Sequence, residues 1–455
     1  MNLKTFSSRL LVAVLLAVAS GANAQQPAAH RAVLLVTIDG LHPSYVLQAD
    51  ALGLKIPVLR ELVKQGAHAS GVTNVNPTVT YPNHTTLLTG VGPETHGIHT
   101  NTVFDPEGTE QEAWNWYGAQ IKAPTLWDAA KSAGLTTASV LWPVSVAHPA
   151  IDYNVPEFWR TKTPDDHYLL EAVSTPRGFL EGVEKHAGGF IAEADEAAMD
   201  ERITEVAVAM IEQARPELLT VHIVNLDGVQ HASGPLPQNP QARQALEEID
   251  AHVGRIIAAE RVAHPDATIA IASDHGFLPV EKTLHLNAAF SAAGLIELDQ
   301  DGKLASWKAY AWNSGGSASV VLKDPGDSAT YAQVDRILTA LAADAGNGIA
   351  SVLRGKEAID GGALPQASFL VDCQPGFGTG KALRGDVVRT QNRLTGTHGY
   401  ANTRKEMNSS FFVVGPGIEA GKDLGQIDIR RIAPTLAREL NVSLPSATQA
   451  PLPLH

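Results

Sequence analysis

Three aspartates stand out in this chain, two of them beside histidines: Asp39 in Ile38-Asp39-Gly40, Asp227 with His231 four residues on, and Asp274-His275 after Ser273. Each follows a short apolar run, and His398, in Gly396-Thr397-His398-Gly399, precedes another such run at Phe411. Carboxylates gathered with imidazoles and without thiolates make a donor set for divalent cations, zinc in a catalytic setting or, less well matched, manganese. Without a cation the carboxylates would repel one another and raise their own pKa values. Taken singly, each piece has an ordinary explanation. An aspartate after a strand often caps the next helix, the Asp227/His231 pair suits a surface ion pair, and a loop histidine needs no role. The joint occurrence of four such stretches is what carries information.

A hydroxyl accompanies them in Thr80-Tyr81-Pro82-Asn83-His84-Thr85-Thr86-Leu87-Leu88-Thr89-Gly90. Pro82 suits the first turn of a helix, which predicts Thr80 just before it. The free N–H groups of a helix start can seat a phosphoryl oxygen. A threonine hydroxyl held there beside a divalent ion loses its proton more readily and can attack phosphorus. The alternative role for Thr80 is that of a helix cap.

The elements that must position these residues are legible in the apolar patterning. Short runs at Ala32 to Ile38, Ala138 to Leu141, Thr220 to Leu226, Thr268 to Ala272 and Phe411 to Val414 read as central parallel strands buried on both faces. Helix-period stretches alternate with them at Pro57 to Lys64, Thr125 to Ser132, Glu193 to Ala214, Ala242 to Glu260 and Arg430 to Leu440. Such alternation predicts an α/β fold, a doubly wound and mostly parallel sheet flanked by helices. The C-terminal ends of parallel strands share one edge, and Asp39, Asp227 and Asp274 would converge there. The less regular stretch from about 278 to 394, richer in Gly, Asp and Ser, is expected to be an inserted cap on a single large domain spanning 25–455.

Residues 1–24 carry Lys4 and Arg9, an apolar run from Leu10 to Ala19 and a small-residue end at Ala22-Asn23-Ala24, the pattern of a cleaved secretory signal. Export to a periplasmic or extracellular location, with no stable membrane anchor afterwards, is the expectation. The formal net charge is −14 for the whole chain and −16 without those residues. This argues against nucleic-acid binding driven by overall charge. The single Cys373 excludes an internal disulfide and any thiolate-rich metal site.

From Leu34 to about Gly417 these motifs resemble the nucleotide pyrophosphatase/phosphodiesterase family, a branch of the alkaline phosphatase superfamily. The resemblance rests on Ile38-Asp39-Gly40, Thr80-Tyr81-Pro82-Asn83-His84, Thr89-Gly90, His96-Gly97-Ile98, Asp227 to His231, Ser273-Asp274-His275-Gly276 and His398-Gly399-Tyr400. It implies an alkaline phosphatase-like fold and two zinc ions. One would be held by Asp227, His231 and His398; the other by Asp39, Asp274, His275 and the Thr80 hydroxyl. It also implies that Asn101 donates to a nonbridging phosphoryl oxygen, and that Tyr81 either packs on the substrate's base or fills space before Pro82. Gln230 replaces the family's usual glycine before His231.

The activity implied is hydrolysis of a phosphodiester or nucleotide pyrophosphate through a phospho-threonine. Monoesterase relatives carry a Lys-x-Arg element where this chain reads Trp142-Pro143-Val144, which favours the diester; Lys122 is another cation able to approach from a separate loop. Alternatives are a phosphate monoesterase, a phosphonate hydrolase and a secreted binding protein with an inactive site. Aromatics in Ile151 to Trp159 are expected to contribute to a pocket for the small-molecule substrate.

Overall fold

The computed structural model describes residues 31–110, 113–189, 191 and 196–455. The signal-peptide reading lies outside the described residues.

The centre is an eight-stranded sheet built from β1 (Val33–Ile38), β2 (Ala67–His68), β3 (Thr137–Val140), β4 (Tyr153–Val155), β5 (Leu218–Ile223), β6 (Thr268–Ala272), β7 (Phe411–Val414) and β8 (Lys422–Asp423), in the spatial order β8-β2-β7-β6-β1-β5-β3-β4. β1 pairs in parallel with β5 and with β6, and β3 pairs in parallel with β4 and β5. Consecutive strands β5 and β6 thus lie on opposite sides of β1, which opens a crevice at their C-terminal ends. The register brings those ends level: Ile38 lies beside Ile223, and Thr37 beside both His222 and Ala272.

Alternation along β1 feeds two apolar layers, because successive side chains of a strand point to opposite faces. Leu34, Val36 and Ile38 join the layer containing Leu59 and Leu62 of helix α1 (Pro57–Gln65). Val33 and Leu35 join the layer containing Leu87 and Leu88 of α2 (Thr80–Thr89) and Leu126 of α3 (Leu126–Ser132). Helices α4 (Glu196–Ala214) and α6 (Pro240–Ala263) cover the first face, with α5 (Asn225–Ser233) between them in sequence; α7 (Ile432–Glu439) covers the second.

Two expectations need correction. The Phe411 strand runs antiparallel to β6 and to β2, not parallel. A run buried on both faces looks the same in either direction, so its composition held no sign of orientation. The run from Thr220 to Leu226 is also not all strand. It ends at Ile223, and Asn225 already opens α5.

Between β6 and β7 the chain forms three further sheets. One has four strands, Ala309–Asn313, Ser317–Leu322, Ala367–Cys373 and Ile349–Arg354; another has three, Gly376–Thr379, Leu278–Leu284 and Val388–Thr397; the third pairs Ile296–Leu298 with Leu304–Trp307. This region has its own apolar cluster around Phe290, Val320, Leu338 and Phe369. No helix among the described residues is long and apolar enough to cross a membrane.

Candidate active site

Asp39 follows β1 directly, and Asp274 follows β6 after Ser273. Asp227 sits in the first turn of α5 and His231 in its last, so the four-residue spacing stacks them on one helical face. His398 lies just beyond the Val388–Thr397 strand. The crevice brings all five together with His275. His275 Nε2 is 3.3 Å from Asp39 Oδ1 and 3.1 Å from Asp274 Oδ2. Asp227 Oδ2 is 3.5 Å from His231 Nε2, and its Oδ1 is 3.8 Å from His398 Nε2. The His275 and His398 rings stack with centroids 3.6 Å apart.

Backbone carbonyls aim two of these imidazoles. His231 Nδ1 is 2.9 Å from Gly396 O, and His398 Nδ1 is 3.0 Å from Thr78 O. A proton on each Nδ1 donates to the carbonyl and leaves Nε2 with its lone pair toward the carboxylates, the arrangement of an oriented metal ligand.

Electrostatically the cluster is unbalanced. Burial, and then the charges of Asp274 and Asp227, push the Asp39 carboxyl well above the usual carboxylate range. Asp274 is pushed up to about 7 by burial and then by Asp227, and Asp227 is raised by burial. His275 and His398 are held well below the ordinary imidazole value, by burial first and then by neighbouring imidazoles.

The residues fit divalent cations on direct observation. Asp39 Oδ1, Asp227 Oδ1 and Asp274 Oδ2 are buried without a hydrogen-bond partner, which is costly unless something positive meets them. Asp39, Asp274 and His275 each offer a donor atom within 4.8 Å of the others, and so do Asp227, His275 and His398. The structure therefore gathers two overlapping groups, with His275 reaching both. His231, its side chain 41% exposed, stands at the open rim beside Asp227.

Thr80 meets this cluster: its Oγ1 is 3.4 Å from His275 Nε2. It is the first residue of α2, and Val79 is the N-cap, with no side-chain cap bond. The helix thus starts one residue earlier than the proline suggested. A proline three residues into a helix is tolerated because the first N–H groups have no intrahelical acceptor. The capping alternative is removed, and the Thr80 hydroxyl is left facing the crevice. Asn83 fixes the approach, accepting from Val75 N–H at 2.9 Å and donating to Val79 O at 2.9 Å. His84 Nδ1 sits 3.0 Å from Thr80 O.

Asn101 Oδ1 accepts from the Tyr81 N–H at 2.9 Å, which ties Asn101 to the helix start beside Thr80. Tyr81 itself has no exposed surface. Its ring packs with Ile98 and Val144 and lies 5.2 Å from Trp114, so space-filling describes its placement. Half-buried Trp114 and Trp159, 5.5 Å apart, present the aromatic surface instead, backed by buried Trp116 and Phe158. Lys122 runs past Gly97. Among the described residues, no Lys or Arg makes a hydrogen bond or ion pair with Asp39, Asp227, Asp274 or Thr80.

Two residues escaped the sequence reading. His222, on β5, has Nε2 3.1 Å from Asp39 Oδ2. Its signal was a titratable side chain inside an otherwise apolar buried run. Glu157 is buried beside the Tyr81 hydroxyl; burial pushes its carboxyl well up, with that hydroxyl pulling the other way. It sits in the tract noted for aromatics, where its own burial was not legible.

The fold and this crevice define an α/β protein with Asp/His groups that could hold metal ions beside a hydroxyl. The sequence profile described as Type I phosphodiesterase / nucleotide pyrophosphatase matches residues 33–401, and the chain belongs to that family. It is 27% identical over 255 residues to human ectonucleotide pyrophosphatase/phosphodiesterase family member 1, covering 53% of this chain and 23% of that protein. A venom phosphodiesterase of Naja atra is 25% identical over 256 residues, covering 54% of this chain and 26% of that one. The chain thus spans about a quarter of the length of these two curated relatives. The structure of human ectonucleotide pyrophosphatase/phosphodiesterase 5 superposes with a TM-score of 0.65 at 20% identity, covering 91% of this chain and 96% of that one. Its murine counterpart, in an inactive threonine-to-alanine form in complex with AMP, gives 0.64 at 18% identity, covering 93% and 97%.

Proposed function

We propose that this chain is an exported, metal-dependent hydrolase that cleaves phosphodiester or nucleotide pyrophosphate bonds through a phospho-threonine at Thr80. The observation that carries the reading is the Thr80 hydroxyl, 3.4 Å from His275 at the edge of a buried carboxylate–imidazole cluster. Asp227, His231 and His398 would hold one cation. Asp39, Asp274, His275 and Thr80 would hold the other, with zinc as the ion suited to these donors. Bound there, the cations supply charge that stabilises the Thr80 alkoxide and the oxygens of an in-line displacement.

The chain's own groups then have distinct tasks. Thr80 Oγ1 forms a bond to phosphorus as the bond to the leaving oxygen breaks, and the leaving group departs as an alcohol or nucleotide once protonated. Water next attacks phosphorus; the Thr80–phosphorus bond breaks and Thr80 regains its proton. Asn101, anchored through its carbonyl oxygen to the Tyr81 N–H, keeps its NH2 group to donate to the equatorial oxygens. The absence of a Lys or Arg contact to the cluster among the described residues favours a monoanionic diester over a dianionic monoester. Trp114 and Trp159 supply flat walls that suit a nucleobase. The AMP held by the murine relative and its inactivity without a threonine support the same reading. The region between β6 and β7 would act as a cap on the crevice.

Comparing hydrolysis of bis-p-nitrophenyl phosphate and p-nitrophenyl phosphate by zinc-loaded protein tests the assignment. Preference for the diester is expected. A strong preference for the monoester would overturn it, and no turnover of either compound would favour the inactive binding protein.

A further inference from the structure

We propose that His222 is the positioning residue for Asp39, setting which carboxylate oxygen faces the cation; this rests on the cation-binding reading above. The sheet register creates the contact. His222 on β5 pairs with Thr37 on β1, and Asp39 lies two residues beyond Thr37. Thr37, Asp39 and His222 therefore rise from the same face of the sheet.

The His222 ring is only 1% exposed, and each nitrogen faces an oxygen acceptor, so the neutral ring donates from one of them, Nε2–H to Asp39 Oδ2. Nε2 lies 3.1 Å from Asp39 Oδ2, and Nδ1 lies 3.2 Å from Leu141 O. Leu141 has a left-handed φ of 52°, which a non-glycine residue adopts only when its surroundings hold it there. His84 packs over the same ring at 4.3 Å, and Trp142 closes on His84 edge-on at 5.0 Å. His84 on one face and the oxygens at the two nitrogens hold the imidazole in this orientation.

The result at Asp39 is asymmetric. Oδ2 is occupied by His222, whereas Oδ1 is buried without a hydrogen-bond partner, 3.3 Å from His275 Nε2. One carboxylate oxygen is committed to the protein and the other is presented to the crevice. Both His222 nitrogens face protein oxygens, Asp39 Oδ2 and Leu141 O, so it acts through Asp39 and not as a ligand. Outer partners of this kind typically change metal affinity by about 10- to 100-fold when removed.

Two near-isosteric variants separate this role from general packing. In His222→Gln the amide reaches the position of Nε2 and keeps the Asp39 contact; in His222→Asn it reaches the position of Nδ1 and keeps only the Leu141 contact. Zinc content after dialysis against graded chelator, with the thermal midpoint of each metal-free protein, is the readout. We expect wild type and His222→Gln to retain two equivalents. His222→Asn should hold one of the two about 10- to 100-fold more weakly, with metal-free midpoints alike and kcat recovering in excess zinc. Equal retention by His222→Asn and wild type, or equal loss by both variants, would overturn the role of His222 alone. Wild-type protein that binds no zinc would remove the ground for this role and for the proposed function together.

Discussion

At the residue scale, the site consists of groups that are costly to bury unless they serve a common ligand. In the proposed function Thr80 carries the chemistry, and because its hydroxyl is not used as a cap, removing it should leave the fold intact. Thr80→Ala is expected to lower kcat by about 10³-fold or more, with a melting midpoint near wild type; a variant with more than a tenth of the activity would exclude Thr80 as nucleophile. Which residues were legible in sequence follows from the same logic. Asp39, Asp227, His231, Asp274, His275 and His398 were readable because polar ligand types at strand ends have few other reasons to recur. His222 was not, since its partner is fixed by strand register, and Glu157 was not, since its burial depends on a tertiary contact with the distant Tyr81. Tyr81 was ambiguous between two roles that only burial separates.

At the element scale, the strand ends, helix α5 and one tight turn deliver the proposed ligands. Gly399 has φ +83, and a Cβ there would lie 1.7 Å from Ser314 O. Its N–H also bonds Thr78 O, the carbonyl that aims His398. Gly399→Ala should destabilise the protein by more than about 2 kcal/mol and weaken zinc binding, as read by thermal melts with and without zinc; an unchanged midpoint would refute this. Away from the site, α6 ends in a buried carboxyl. Glu260 is pushed up to about 7 by burial, with Arg261 pulling it down, and its Oε2 has no partner. The folded protein keeps that proton up to about pH 7, whereas the unfolded chain loses it near 4.5, so stability falls as pH rises between these values and then levels off. Glu260→Gln is expected to stabilise by about 1–3 kcal/mol at about pH 8 and to lose that advantage below about pH 4.5, in denaturant titrations at the two pH values. Element type was mostly readable from periodicity. Direction and ends were not: the Phe411 strand is antiparallel, and the Thr220 run turns into helix at Asn225, because apolar composition records burial and not orientation.

At the scale of the whole molecule, a twisted sheet with an apolar layer on each face holds distant stretches of chain at one crevice, and cations held there as proposed would balance the buried carboxylates. Zinc that binds only the folded state should raise the melting midpoint in a concentration-dependent way, about 4 kcal/mol when free zinc exceeds its Kd by 1,000-fold. Chelator should reverse it, and Asp274→Asn should blunt it; a midpoint indifferent to zinc would contradict the metal assignment. The most direct test of the central claim is the stereochemical course of hydrolysis of a phosphodiester made chiral at phosphorus by sulfur substitution, run in 18O-labelled water. Two in-line displacements through Thr80 predict net retention at phosphorus. Net inversion would mean that water attacks directly, and it would contradict the account.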